Sequence, residues 1–131
     1  MSYGVTLKGL TFPDFNITFN LTDTVTNVDD VIGLAVTQDT SAANSVKLAT
    51  DGAEILGRIL VCEDRTSQGG GIVVSVETKG GMAIPYSTAP SIGDVVVGAG
   101  SGQVKAGEGS ATGPVVYEVD TVNEQAIVFV K

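Results

Sequence analysis

Apolar and polar residues alternate along much of this chain with a period of two. The clearest run sets Phe15, Ile17, Phe19 and Leu21 on one face and Asn16, Thr18, Asn20 and Thr22 on the other, the pattern of a strand that buries one side. Residues 3–8 alternate more weakly and read as a first strand ended by Gly9. Further apolar runs, many of them carrying valine, follow at 31–37, 45–49, 54–62, 72–78, 82–86, 95–97, 104–106, 115–120 and 125–130. Asp51-Gly52 between two of them is a hairpin signal, because type I′ turns need positive φ. Gly57 predicts a bulge or a tight bend inside a strand. Pro85 places its strand at a sheet edge, since proline cannot donate to a ladder. Residues 63–71, with three consecutive glycines, read as a mobile loop, and Gly80-Gly81 as a turn.

About ten short strands, turns every 8 to 12 residues and few helix signals predict an all-β fold, a single compact antiparallel β-barrel or sandwich. Residues 28–131 form the barrel in this reading, and residues 1–27 are an extended N-terminal strand or arm. The strand bearing Phe15 to Leu21 either covers the barrel of its own chain or packs on a neighbour. Three of the four phenylalanines lie between residues 12 and 19, and aromatics dominate both core and interface energetics. Phe12, Phe15, Ile17 and Phe19 are therefore the candidate contact residues toward another protein.

The strands also echo one another. Asp30 to Gly33, Val46 to Ala49, Ile55 to Val61 and Ile72 to Val76 form one series; Asp94 to Val97, Val104 to Ala106, Val115 to Val119 and Ala126 to Val130 form a shorter one with the same succession of parts. If the echo is structural, the barrel has a pseudo-twofold design.

Composition narrows the function. At 131 residues the chain is one domain by size and can bury roughly two thirds of its unfolded surface. Fifteen acidic residues against seven basic ones, scattered rather than clustered, argue against a nucleic-acid partner, whose phosphates need grouped Lys and Arg. No apolar stretch approaches the roughly 20 residues that span a bilayer, and the first residues lack the basic and apolar regions of a signal peptide. The expected site of synthesis is the cytoplasm. The single cysteine, Cys62, lies in an apolar run and reads as a buried thiol.

Reactive groups are sparse. No histidine occurs anywhere, which removes the commonest general base and metal ligand. Asp29, Asp30 and Asp39 lack the spacing and closing glutamate of a calcium loop. Gly98-Ala99-Gly100-Ser101-Gly102 fits neither common phosphate-binding pattern and reads as a hairpin turn. No catalytic residue, cofactor or metal is expected, and the chain reads as a non-enzyme.

The stretches Asp30-Val31-Ile32-Gly33-Leu34-Ala35-Val36, Ser45-Val46-Lys47-Leu48-Ala49, Ile55-Leu56-Gly57-Arg58-Ile59 and Gly93-Asp94-Val95-Val96-Val97 to Val104-Lys105-Ala106 resemble the small capsid decoration, or cement, proteins of tailed bacteriophages. The likeness covers about residues 28 to 131 and leaves the N-terminal 27 unmatched. It implies a structural virion protein on the outer capsid surface, made in the host cytoplasm. It also implies the major capsid protein as partner and a homo-oligomer, with a trimer favoured. Another virion component, a tail tube subunit or a head fibre base, is the alternative. Gly93-Asp94-Val95-Val96 with Lys105 distantly resembles lipoyl and biotinyl carrier domains, but the acidic residues expected before the lysine are absent. A lipocalin-like ligand barrel would need a roomy interior, which the many Val, Ala and Gly positions do not suit.

Overall fold

A sheet that is apolar on one face must lay that face on another layer or curl upon itself, and this chain curls twice. The computed structural model describes residues 5–7, 10–12, 16–109 and 111–130, with side chains described from Asn16 onward. Among the described residues twelve strands are present: β1 (Val5–Leu7), β2 (Leu10–Phe12), β3 (Asn16–Leu21), β4 (Ala35–Gln38), β5 (Ser45–Leu48), β6 (Gly57–Asp64), β7 (Ile72–Glu77), β8 (Gly80–Pro85), β9 (Val96–Gly100), β10 (Gln103–Ala106), β11 (Val115–Asp120) and β12 (Gln125–Val130). The all-β expectation holds, and among the described residues the helical content is two short 3-10 turns at Val28–Asp30 and Thr66–Gln68.

Strands β3 to β7 close into a barrel in the order β3-β5-β4-β6-β7. Asn16–Leu21 thus closes the barrel of its own chain, antiparallel to β7 along its whole length and parallel to β5 at its end. The barrel takes in part of the segment that the sequence sets apart as residues 1–27, and one of its pairings is parallel.

The remaining strands repeat this plan. β8, β12 and β11 form one sheet and β9 pairs with β10. Two single bridges, Tyr86 to Val104 (parallel) and Val95 to Val115 (antiparallel), join them into a second ring, β8-β10-β9-β11-β12. The register matches pair for pair. Val36 opposite Leu48 and Thr37 opposite Lys47 correspond to Val96 opposite Ala106 and Val97 opposite Lys105. Arg58 opposite Glu77 and Ile59 opposite Val76 correspond to Val115 opposite Phe129 and Val116 opposite Val128, and a bulge follows at the same place in both. Backbone bonds outside the ladders repeat too: Thr22 N–H to Val46 O and Ser87 N–H to Val104 O are both 3.0 Å.

Each ring has its own core. Leu21, Val36, Val46, Ile59, Val74 and Val76 fill the first, and Met82, Ile84, Val96, Val104, Val116 and Val128 the second. The rings are fused, because Ala35, Ala49 and Ile55 of the first belong to the core of the second. Ala35 N–H donates to Gly102 O at 2.8 Å, Gly98 N–H to Ala53 O at 2.8 Å and Gly52 N–H to Gly98 O at 2.8 Å. Only glycine fits at this seam. A Cβ on Gly98 would stand 2.1 Å from the Thr50 carbonyl oxygen, and one on Gly102 2.7 Å from Leu34 Cβ.

The echo read in the sequence is therefore structural, but it is not a twofold. A twofold would pair Gln38 and Asn44, the matches of Gly98 and Gly102, with the second ring as those glycines pair with the first; instead both are exposed. The contact is heterologous, head to tail. The alignment also shifts at one place: Gly33, whose N–H donates to Ile59 O, matches Gly93, whose N–H donates to Val116 O. Ile32-Gly33 thus corresponds to Ile92-Gly93, rather than residues 30–33 to 94–97.

Other local expectations are revised. The run 31–37 becomes a strand only at Ala35, because Gly33 at φ 87° turns the chain first. Asp51-Gly52 turns without forming a hairpin of β5 and β6, which do not pair; it reaches across to β9. Gly57 is a close approach, since its Cβ would meet Glu77 O at 2.1 Å, and the bulge lies between Ile59 and Val61. Gly80-Gly81 lies inside β8. The 63–71 loop is shortened by β6, which runs to Asp64, and holds the Thr66–Gln68 turn.

Candidate functional surface

Polar groups that would be candidates for chemistry are engaged in holding turns. The Asp39 carboxylate accepts from Ser41 Oγ at 2.6 Å, Thr22 Oγ1 at 2.6 Å and Ser41 N–H at 2.9 Å. These bonds, the Ser41 hydroxyl foremost, hold its pKa at about 2. Asp64 is lowered by the Thr66 hydroxyl and N–H, and Asp120 by the Asn123 side chain and N–H. Each is a short side-chain-to-backbone turn of the kind Asp favours. Asp29 and Asp30 lie in the 3-10 turn capped by Asn27. Among the described residues no group of three or more metal-donor side chains gathers.

Cys62 is buried in the first core, and its thiol pKa is raised by desolvation and then by the charge of Asp64. Lys105 lies within β10, not at the Ser101-Gly102 tip of its hairpin, and its ammonium pairs with Asp51 across the seam between the rings. Arg58 bridges the rings as well, with Nη2 3.2 Å from Glu77 and Nη1 donating to the β8 carbonyl of Ala83 at 3.1 Å. The surface carries open grooves. One of about 320 Å³ runs between the rings past Glu54, Ile55, Pro114, Val115 and Phe129.

What the surface offers instead is apolar side chains. Of the four residues predicted to make contacts, Ile17 is 45% exposed and Phe19 is half-buried against the first core. They share the predicted face with buried Leu21, so that face emerges from the barrel toward the start of β3. Phe12 lies in β2, paired with Val5 of β1, and Phe15 falls outside the described residues. Sequence reasoning missed two further sets. Tyr117 (62% exposed) and Phe129 (38%) meet edge to face at 5.8 Å on the second ring, where the first ring carries Leu60 and Glu77. Ile32 (45%) and Ile92 (72%) stand at matching turns of the two rings. The repeated Ile-Gly dipeptide was the available signal for that pair.

Among the described residues no helix is long and apolar enough to cross a membrane. Comparison with protein-family models, curated proteins and solved structures finds no match to any of them.

Proposed function

We propose that this chain is a structural virion protein that binds the outer surface of a phage capsid and stabilises the lattice by bridging major capsid protein subunits. The resemblance in the strand and glycine pattern points to this role. The observation that carries it here is the fused double ring, in which the Asp39, Asp64 and Asp120 carboxylates hold turns while apolar side chains such as Ile17, Ile92 and Tyr117 stand outward. Such a body has little to offer a small substrate and much to offer a protein surface. The reading includes a homo-oligomer, a trimer favoured by the resemblance, assembled in the host cytoplasm and carried on the virion. Of the predicted contact residues Phe12, Phe15, Ile17 and Phe19, Ile17 presents an exposed side chain, whereas Phe19 is largely engaged with its own barrel.

Decoration stabilises a shell by mass action, because the protein binds the assembled lattice and not free subunits. At a free concentration 100 times Kd the gain is about 2.7 kcal/mol per site. The test is co-sedimentation with expanded capsids of the source phage, followed by thermal melting of the decorated shells. Saturable binding with a raised melting temperature is expected. Polymerisation into rings or tubes without capsids would favour a tail tube subunit, and no binding at all would remove the reading.

A further inference from the structure

The second ring carries an apolar face whose counterpart on the first ring is covered. Val115 opposite Phe129 corresponds to Arg58 opposite Glu77. On the first ring that pair lies against the second: Arg58 donates to Ala83 O of β8 at 3.1 Å, and the Arg58 and Glu77 side chains are 23% and 14% exposed. On the second ring Phe129 is 38% exposed, and Tyr117, in edge contact with it, 62%. Beside them runs the groove between the rings, where Ile55, Pro114 and Val115 add apolar wall and Glu54 is the charged side chain.

Strands β1 and β2 have the converse need. Their register sets Val5 opposite Phe12 and Leu7 opposite Leu10, so these four positions share one face of the ribbon, and Thr6 and Thr11 share the other. Among the described residues this ribbon pairs with no further strand, and two strands alone are marginal in water. The chain brings it to the groove. Asn16, where β3 begins, stands opposite Glu77, and the next residue, Thr78, lines the groove together with Phe129. Phe12 precedes Asn16 by four residues, at most about 14 Å of chain. Residues 5–12 hold no acid to oppose Glu54. We propose that the N-terminal ribbon folds back on its own chain as a strap, laying the Val5, Leu7, Leu10 and Phe12 face over Val115, Tyr117 and Phe129. A tether this short favours the same chain over a second copy, because it holds the ribbon at an effective concentration on the order of millimolar. The strap stands apart from the capsid reading, except that it turns Phe12 from a contact with another protein into one within the chain.

The test is NMR on the full chain with labelled leucine methyls and protonated aromatic rings. Nuclear Overhauser effects from the Leu7 and Leu10 methyls to the Tyr117 and Phe129 rings are expected. In a mixture of labelled and unlabelled molecules, filtered to report contacts between copies, those effects should vanish. Effects that pass the filter would put the ribbon on a second copy, and their absence from both samples would show the face unstrapped; either result overturns the proposal. A mutant cycle supplies an energetic readout. Leu7→Ser with Leu10→Ser, and Tyr117→Ser with Phe129→Ser, should each lower the folding equilibrium constant about tenfold or more, and all four together should lose clearly less than the product. Losses that simply multiply would refute the contact.

Discussion

Replacing Gly98 with alanine should unseat the seam between the two rings. The new Cβ would lie 2.1 Å from Thr50 O, 3.1 Å from Thr50 C and 3.2 Å from Ala49 Cβ, and backbone atoms cannot swing aside as a side-chain end does. Either β9 or the 50–53 loop must retreat. That retreat breaks the bonds Gly52 N–H to Gly98 O and Gly98 N–H to Ala53 O, both 2.8 Å. Each such bond is worth about 1 kcal/mol net, and overpacking adds about 1–3 kcal/mol. The expected loss is about 3–5 kcal/mol in urea unfolding, equivalent to a fall of about 11–18 °C in Tm at this size. Hydrogen exchange at the Gly52 and Gly98 amides should accelerate alongside. Gly81→Ala is the matched control, since its Cβ would find one atom, Val128 O, at 4.0 Å; it should stay within about 1 kcal/mol of wild type. A Gly98→Ala protein as stable as Gly81→Ala would refute the argument that the seam excludes a side chain.

Three other outcomes follow from named contacts. Arg58→Ala should destabilise by about 2–4 kcal/mol in urea, because it takes the guanidinium away from the Glu77 carboxylate and from the Ala83 carbonyl, whereas Arg58→Val with Glu77→Phe, copying the second ring's own pair, should recover most of the loss. The Asp39 carboxyl should titrate near pH 2 by carbon-13 NMR; because its folded pKa is depressed, its stabilising contribution is present above the unfolded value near 3.8 and fades as pH falls toward 2, and Asp39→Asn should remove that acid dependence. Cys62 should be silent to a thiol reagent in native buffer and react fully in denaturant, since burial both shields it and raises its pKa; rapid native labelling would show that the first core opens.

How far the fold was legible depended on what each residue answers to. β5, β7, β11 and β12 lie where alternation of Val, Ile and Ala places them, because a half-buried strand has one solution for its apolar positions. Glycines were harder. The same residue serves as a left-handed turn at Gly33, as a place where another backbone comes close at Gly57 and Gly98, and as ordinary strand at Gly81. Its identity does not distinguish these uses. Asp51-Gly52 misled for a related reason: the turn is there, but the partner that receives it is nearly fifty residues away. The repeat was visible as an order of parts, yet the offset at Asp30 and Asp94 hid the Ile-Gly match. Whether Phe19 faced its own barrel or a neighbour could not follow from alternation, which gives the face and not what covers it.

The glycine seam also sets where the series ends. A third ring docking onto the first as the first docks onto the second would need to bring its loop against positions 38 and 44, and there the chain carries Gln38 and Asn44 in place of glycine. The open contact that could otherwise have propagated into a fibre is stoppered by two side chains, so the molecule counts to two and no further by this route.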